Sequence, residues 1–131
     1  MKALLKPQSL RNSRQFRRVY DKGYRFHTPY FSAFFLRNDV GEQRFGITAT
    51  RKIGGAVVRN RCKRRLREVV RNFDHCATRL TEGFDMVLNV KAGLVKADFI
   101  QVQESFSHVM SRFCELMKKQ SNLNQNKPNA V

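Results

Sequence analysis

The hydrophobic positions follow two different periods along the chain. Over residues 56–72 and 96–119, apolar residues recur every three to four positions, which is typical of amphipathic helices. From Arg44 onwards apolar and polar residues instead alternate, as expected of a half-buried strand. Together the two periods predict an α/β domain. The alternating strand has an apolar face of Phe45, Ile47 and Ala49 and a polar face of Arg44, Thr48, Thr50 and Lys52.

Capping and breaking residues complete the predicted order of elements. Asn12 or Ser13 can cap a first helix, and Gly23 is placed to end it. Pro29 cannot donate to a strand ladder, so it divides the following aromatic-rich stretch into a short strand and a longer one. Residues 86–91 add a fourth strand, which gives the order α-β-β-β-α-β-α.

The length and composition of the chain fit a single domain. The 131 residues are 41% hydrophobic, enough for a single buried core. We expect that domain to cover residues 1–119 and to be followed by a disordered polar tail over 120–131. No apolar run approaches the roughly 18 residues of a membrane span. We therefore expect a cytoplasmic protein without a membrane partner.

The positive charge is concentrated in two segments. Lys and Arg number 26 against 10 Asp and Glu, which gives a net charge of +16. Residues 1–25 hold eight basic residues and one acid, and residues 51–71 hold nine and one. Such an excess points to a polyanionic partner, and its two blocks predict two basic elements that flank one binding surface.

The predicted helix over residues 56–72 has two contrasting faces. Glu68 is its only acid, so the charges on its polar side repel each other without compensation. A solvated face normally mixes signs, whereas a face of one sign is favoured when phosphates neutralise it. An ordinary solvated helix face is the alternative. The apolar stripe comprises Val58, Cys62, Leu66, Val69, Val70 and Phe73, and the polar arc comprises Asn60, Lys63, Arg64, Arg67 and Arg71.

Residues 53–67, with the core Arg59, Asn60 and Arg61, resemble the signature of the bacterial ribonuclease P protein subunit. The resemblance extends to residues 16–20, 50–54 and 85–91, and departs at Cys62, where the family has an aliphatic residue. It implies a two-layer α/β (α+β) sandwich with a four-stranded mixed sheet, similar to the second domain of a small-subunit ribosomal protein. It also implies a left-handed β-α-β crossover, whereas the general handedness rule for such units favours a right-handed one.

The resemblance implies two RNA partners for this chain, the catalytic ribonuclease P RNA and precursor tRNA. In the family, a shallow cleft between the first helix and the sheet receives the single-stranded 5′ leader of the precursor. Spacing alone does not decide whether the aromatic pair Phe16 and Tyr20 lies in this cleft or in the core. Phe26, Phe31 and Phe35 are assigned to the core. The expected contacts to the catalytic RNA are Arg59, Asn60, Arg61, Lys63, Arg64, Arg67 and Arg71, and those to the leader are Phe16, Arg17, Tyr20, Phe34, Thr48, Thr50, Lys52, Asn89 and Lys91.

No spacing in the chain indicates a general acid and base or a metal site. The resemblance accordingly implies an accessory subunit of an endoribonuclease, in which the RNA performs the hydrolysis with bound Mg²⁺. A ribosomal or assembly protein remains the alternative. A DNA partner is disfavoured because no helix-turn-helix spacing occurs. The residues considered were the histidines 27, 75 and 108, the acids Asp74, Glu82, Asp85 and Asp98, and the cysteines 62, 76 and 114, which are expected to be free thiols.

Overall fold

A computed structural model of the chain describes residues 8–10, 12–73 and 83–126. The predicted elements are all present, and a two-residue strand precedes them. In chain order the elements are β1 (Gln8–Ser9), α1 (Ser13–Lys22), β2 (Tyr24–His27), β3 (Phe31–Arg37), β4 (Gln43–Thr48), a 3-10 helix (Arg51–Ile53), α2 (Ala56–Asn72), β5 (Phe84–Val90), a second 3-10 helix (Ala92–Leu94) and α3 (Phe99–Asn126).

The sheet has the strand order β1-β4-β5-β3-β2. Its four predicted strands form the mixed sheet that was expected: β4 and β5 are parallel neighbours joined through α2, and β3 runs antiparallel to both β5 and β2. This arrangement confirms the predicted fold class. The additional β1 pairs with β4 in parallel through only two residues, too few to show an alternating pattern in the sequence.

The strands divide their side chains between two faces of the sheet. One face packs against α2 and α3 and holds the larger core, in which Phe35 and Phe113 stack with ring centroids 4.3 Å apart. The other face packs a smaller cluster around Val19, Phe34 and Val87 against α1. Phe26, Phe31 and Phe35 all lie in the larger core, as predicted.

The first helix begins and ends where its cap residues predict. The Asn12 side chain accepts a hydrogen bond from the Gln15 backbone amide at 3.0 Å, and the Gln15 side-chain oxygen accepts one from the Asn12 backbone amide at 3.3 Å. These two hydrogen bonds satisfy two backbone N–H groups that have no acceptor within the helix. Gly23 ends the helix. Val19, on the inner side, is fully buried against the sheet.

Two predicted boundaries are corrected. The alternating strand ends at Thr48, and residues 51–53 turn into a 3-10 helix instead of continuing the strand. The last helix spans Phe99–Asn126 and not 96–119, because the second 3-10 helix precedes it and no Gly or Pro interrupts residues 120–126. The predicted tail therefore starts later than residue 120. Its remaining residues, 127–131, lie outside the described residues.

Candidate nucleic-acid interface

The exposed side of α2 forms the first candidate surface, which we call the basic face. The residues that share it are predominantly exposed, while Cys62, Leu66, Val69 and Val70 on the other side are buried. Cys62 is only 1% exposed, which confirms it as a small core residue. The members of the basic face are the exposed Asn60, Arg61, Arg64, Arg67 and Arg71 and the half-buried Lys63.

Arg59 does not belong to the basic face. Its side chain lies among the half-buried positions, and its Nε atom is buried without a hydrogen-bond partner among the described residues. On the helical wheel it falls at the edge of the apolar arc, between Leu66 and Val70. The predicted contact between Arg59 and the catalytic RNA is therefore restricted to the end of its guanidinium group.

Two glycines and a 3-10 helix fix where α2 begins. Gly54 has a φ of 151°, which side-chain-bearing residues rarely adopt, and a Cβ there would lie 3.2 Å from Val58. Gly55 then occupies the N-cap position. The turn presents Arg51 and Lys52 to solvent directly before the basic face.

Arg65 anchors α2 to the segment that follows β5. Its guanidinium Nη1 donates to the Leu94 carbonyl oxygen at 2.9 Å, and Nη2 donates to the Ala97 carbonyl oxygen. A charged donor that bridges two carbonyls restrains both the helix and the loop. Arg65 thus holds the basic face in place without being part of it.

A groove of about 580 Å³ between α1 and the sheet forms the second candidate surface, which we call the cleft. Phe16 and Tyr20 are both half-buried and line it, so the open question about this aromatic pair is resolved: they pack on the smaller cluster and also border the groove. The residues that line it are Ser13, Arg14, Phe16, Arg17, Tyr20, Asp21 and Thr48.

Gly46 allows α1 to approach the sheet closely at this point. A Cβ on Gly46 would lie 2.3 Å from Cζ of the Phe16 ring, a distance that no real contact shows. The absence of a side chain therefore lets Phe16 rest directly on β4. The edge of the cleft depends on this contact.

A row of polar side chains crosses the sheet beside the cleft. Thr48, Asn89, Ser32 and His27 lie opposite each other on β4, β5, β3 and β2, so one level of the sheet carries all four. We call these four residues the polar row. Because Cβ atoms of paired residues point to the same face, the row lies on the α1 side of the sheet.

Hydrogen bonds connect the polar row to α1. The Tyr20 hydroxyl donates to Asn89 Oδ1 at 2.7 Å, and the Thr48 hydroxyl donates to the same oxygen at 2.5 Å. At the other end, His27 Nδ1 and Ser32 Oγ lie 3.0 Å apart. With its oxygen engaged twice, Asn89 keeps its two amide hydrogens available for a ligand.

Several predicted leader contacts occupy other places than expected. Phe34 is 8% exposed, its ring centroid lies 4.9 Å from that of Tyr20 at 84°, and the Arg25 guanidinium lies 5.5 Å from the same centroid. It therefore supports Tyr20 from below and has little exposed surface on which a base could stack. Thr50 and Lys52 are exposed but lie on the turn before α2, because β4 has ended. Lys91 Nζ donates to the Thr28 carbonyl oxygen at 2.9 Å, close to the His27 end of the row.

Sequence analysis did not assign His27 or Ser32 to the cleft. A signal was available: Arg25 and His27 alternate with the core residue Phe26, which places them on the α1 side once the strand is known. Arg14 was also missed, although it precedes Arg17 by three residues on the same helical face.

Arg44 lies on the α1 side of the sheet, away from the polar row. Its Nε and Nη2 atoms donate to the two carboxylate oxygens of Asp85 at 2.7 and 2.9 Å, and Asn38 donates to the same carboxylate at 2.8 Å. The hydrogen bonds that Arg44 donates to the Asp85 carboxylate raise the pKa of Arg44. Asp85 is thus explained as a buried structural partner.

The described histidines and acids remain scattered. His27 ends the polar row and His108 lies on α3, while His75, Asp74, Glu82 and Cys76 lie outside the described residues. Residues 8–10, 12–73 and 83–126 contain no group of three or more His, Cys, Asp or Glu side chains that could hold a metal ion. Over the same residues, none of the helices combines the length and apolarity needed to cross a bilayer.

Comparisons with known proteins agree with this geometry. The ribonuclease P family profile matches residues 4–114. The ribonuclease P protein component of Syntrophomonas wolfei is 33% identical over 107 residues, which cover 82% of this chain and 87% of the relative. That of Chloroflexus aurantiacus is 36% identical over 108 residues, covering 82% and 78%.

Solved structures show the same fold. The ribonuclease P protein from Thermotoga maritima superposes with a TM-score of 0.68 at 30% identity, covering 80% of this chain and 96% of that one. The ribonuclease P protein of Staphylococcus aureus gives a TM-score of 0.64 at 25% identity, covering 80% and 94%. The chain therefore belongs to the bacterial ribonuclease P protein family, the protein subunits of a ribonucleoprotein endoribonuclease.

Proposed function

We propose that this subunit binds two RNAs on two separate surfaces and thereby promotes removal of the 5′ leader from precursor tRNA. The basic face of α2 binds the phosphates of the catalytic RNA. The cleft and the polar row bind the single-stranded leader. The RNA subunit, with its Mg²⁺, supplies the hydrolytic chemistry that yields the mature tRNA 5′ end.

The cleft carries this proposal. It combines half-buried aromatic rings on α1 with hydroxyl and amide groups on the sheet. Unpaired bases stack on aromatic rings, while polar groups contact base edges and the sugar-phosphate backbone. A duplex presents no free base faces, so a groove of this kind favours a single-stranded segment.

The basic face complements the cleft by a different kind of interaction. Its guanidinium and ammonium groups lie on one side of a helix that contains a single acid, Glu68. Phosphate contacts release counterions, so they provide affinity without reading sequence. A concentrated positive charge also reduces repulsion between the catalytic RNA and its tRNA substrate.

The test compares precursor tRNA with mature tRNA in the reconstituted holoenzyme. Phe16→Ala and Tyr20→Ala remove aromatic surface from the cleft, and each should weaken binding of the leader-bearing precursor by about 1 to 3 kcal/mol. Affinity for mature tRNA should barely change, because it has no leader to occupy the cleft. Leu36→Ala, which removes part of the same cluster outside the groove, is the control for loss of packing alone.

Equal losses for precursor and mature tRNA would contradict the assignment of the leader to the cleft. So would loss of folded structure that fully accounts for weaker binding, as judged by circular dichroism and urea unfolding. Binding of this chain to ribosomal particles, with no preference for ribonuclease P RNA, would favour a ribosomal or assembly role instead.

A further inference from the structure

A second groove, distinct from the cleft, lies where the edge strand β2 meets α3. Its volume is about 310 Å³, and none of its residues was assigned a function from the sequence. We call it the edge groove. Four of its lining residues carry basic side chains, Arg25 and His27 from β2 and His108 and Arg112 from α3; the others are Tyr24, Phe26, Thr28, Val109 and Leu116.

Two guanidinium groups are held on opposite faces of the same strand. The Arg112 guanidinium lies over the Phe26 ring, 5.9 Å from its centroid, on the α3 side of the sheet. The Arg25 guanidinium lies over the Phe34 ring at 5.5 Å, on the α1 side. Both arginine side chains are exposed, so their N–H donors can reach a ligand. Among the described residues, neither group forms an ion pair.

The backbone of β2 adds donors between these two groups. The Thr28 amide donates to the Phe31 carbonyl oxygen at 2.9 Å, and hydrogen-bonded pairs alternate along an antiparallel ladder. Arg25 and His27 therefore occupy non-hydrogen-bonded pairs, and their N–H groups point away from β3. In the described part of the chain no strand covers this edge.

The edge groove begins at β2, the strand that ends the polar row. His27 belongs to both: it pairs with Ser32 in the row and lines the groove. From Thr48 to His27 the row crosses three strand spacings, about 14 Å. A strand of RNA that leaves the aromatic rings of α1 and follows the row would reach the edge groove next.

We propose that the edge groove binds a backbone phosphate of the leader, at a nucleotide further from the tRNA than those that stack on α1. This inference rests on the proposed function of the cleft. The Arg112 guanidinium and the outward-pointing backbone N–H groups of Arg25 and His27 can donate to the oxygens of a phosphodiester. Acidic peptides have the same charge, but the position of the edge groove at the His27 end of the polar row favours RNA.

The experiment measures holoenzyme affinity for precursor tRNAs whose leaders lengthen one nucleotide at a time. Tyr20→Ala should weaken binding from short leaders onwards. Arg112→Ala should have no effect on short leaders and should weaken binding about fourfold, the loss of one phosphate contact near 0.15 M salt, only above a longer threshold. Lys118→Ala removes the same charge from an exposed α3 position outside the groove and is the matched control.

The proposal is supported if the loss of affinity caused by Arg112→Ala begins at a longer leader than the loss caused by Tyr20→Ala. If Arg112→Ala matches Lys118→Ala at every leader length while Tyr20→Ala still acts, the edge groove does not bind the leader and the proposed function stands. If neither Arg112→Ala nor Tyr20→Ala depends on the leader, both proposals fail. Arg112→Lys keeps the positive charge but not the planar guanidinium. Its affinity for long leaders should lie between those of the original protein and Arg112→Ala. An unchanged affinity would show that charge alone suffices and would contradict a role for the guanidinium geometry.

Discussion

The basic face and the cleft are built in different ways. The basic face is one side of a single helix, and a periodicity of 3.6 residues is enough to bring its members together. The cleft and the polar row beside it are assembled from α1 and four strands, so their residues meet only after the sheet has formed with the correct register. The first surface depends on local structure and charge. The second depends on tertiary structure and the placement of single atoms.

The two surfaces should therefore respond differently to solution conditions and to mutation. Phosphate contacts through Lys and Arg weaken steeply as salt rises. Stacking and neutral hydrogen bonds respond much less to salt, and they fail when a ring or a hydroxyl moves by a fraction of an ångström. Three changes test this difference, and they are ordered by the size of the expected effect.

The largest effect is expected from Arg44→Met. It leaves the Asp85 carboxylate, which is 2% exposed, without its cationic partner beside the β4–β5 ladder. Removing one member of a buried ion pair costs about 3 kcal/mol of the free energy of unfolding. Urea unfolding measures the loss. The polar row depends on the same ladder, so binding of the leader should weaken more than binding of the catalytic RNA.

The double variant Arg44→Met/Asp85→Leu is the control for this change. It removes both charges and should recover most of the lost stability, because no uncompensated carboxylate remains. A single variant as stable as the original protein would contradict the structural role of the pair. Equal weakening of both RNA surfaces would contradict the difference between them.

The sequence predicted the basic face well because helical periodicity is a local property. Lys63, Arg64 and Arg67 lie on the side of α2 that the wheel predicts, and Cys62 lies in the core. The exception is Arg59, which was included through the family motif and is half-buried beside the apolar stripe. Its contact with the catalytic RNA stays a prediction.

The cleft could be predicted only in part. The types of its residues were clear from the sequence, but the end of β4 was not, so Lys52 was placed on the strand. Phe34 was expected to offer a stacking face, and no pattern within β3 reveals that Tyr20 and Arg25 cover it. Register between strands decides which residues share a level, and a single sequence does not specify that register.

The second change is Arg64→Ala combined with Arg67→Ala on the basic face. Each substitution removes one expected phosphate contact, so the salt slope of binding to ribonuclease P RNA should fall in magnitude by about two units. Affinity near 0.15 M salt should fall by about 2 kcal/mol. Filter binding over a range of salt concentrations measures both, and the free energy of unfolding should not fall, because the substitutions remove like-charge repulsion.

Replacing Lys118 and Lys119 by Ala removes the same charge from exposed positions on α3 and serves as the control. An unchanged slope in the Arg64/Arg67 variant would show that the basic face is only a solvated helix surface. A slope equally reduced by both variants would mean that net charge, and not this face, determines binding.

The smallest effect is expected from Tyr20→Phe, which keeps the ring over Phe34 and removes only the hydroxyl. The lost hydrogen bond to Asn89, 2.7 Å long, leaves Thr48 as the described partner of that oxygen. We expect affinity for leader-bearing precursor tRNA to fall by less than about 1 kcal/mol, the net worth of one such bond. The loss should be nearly independent of salt, unlike that of the arginine variant. Tyr30→Phe removes a hydroxyl that donates to Gln101 at 3.3 Å outside the cleft, and it should leave leader binding unchanged. If the two variants behave alike, Asn89 does not need Tyr20 to orient it, and the cleft would depend on its aromatic rings alone.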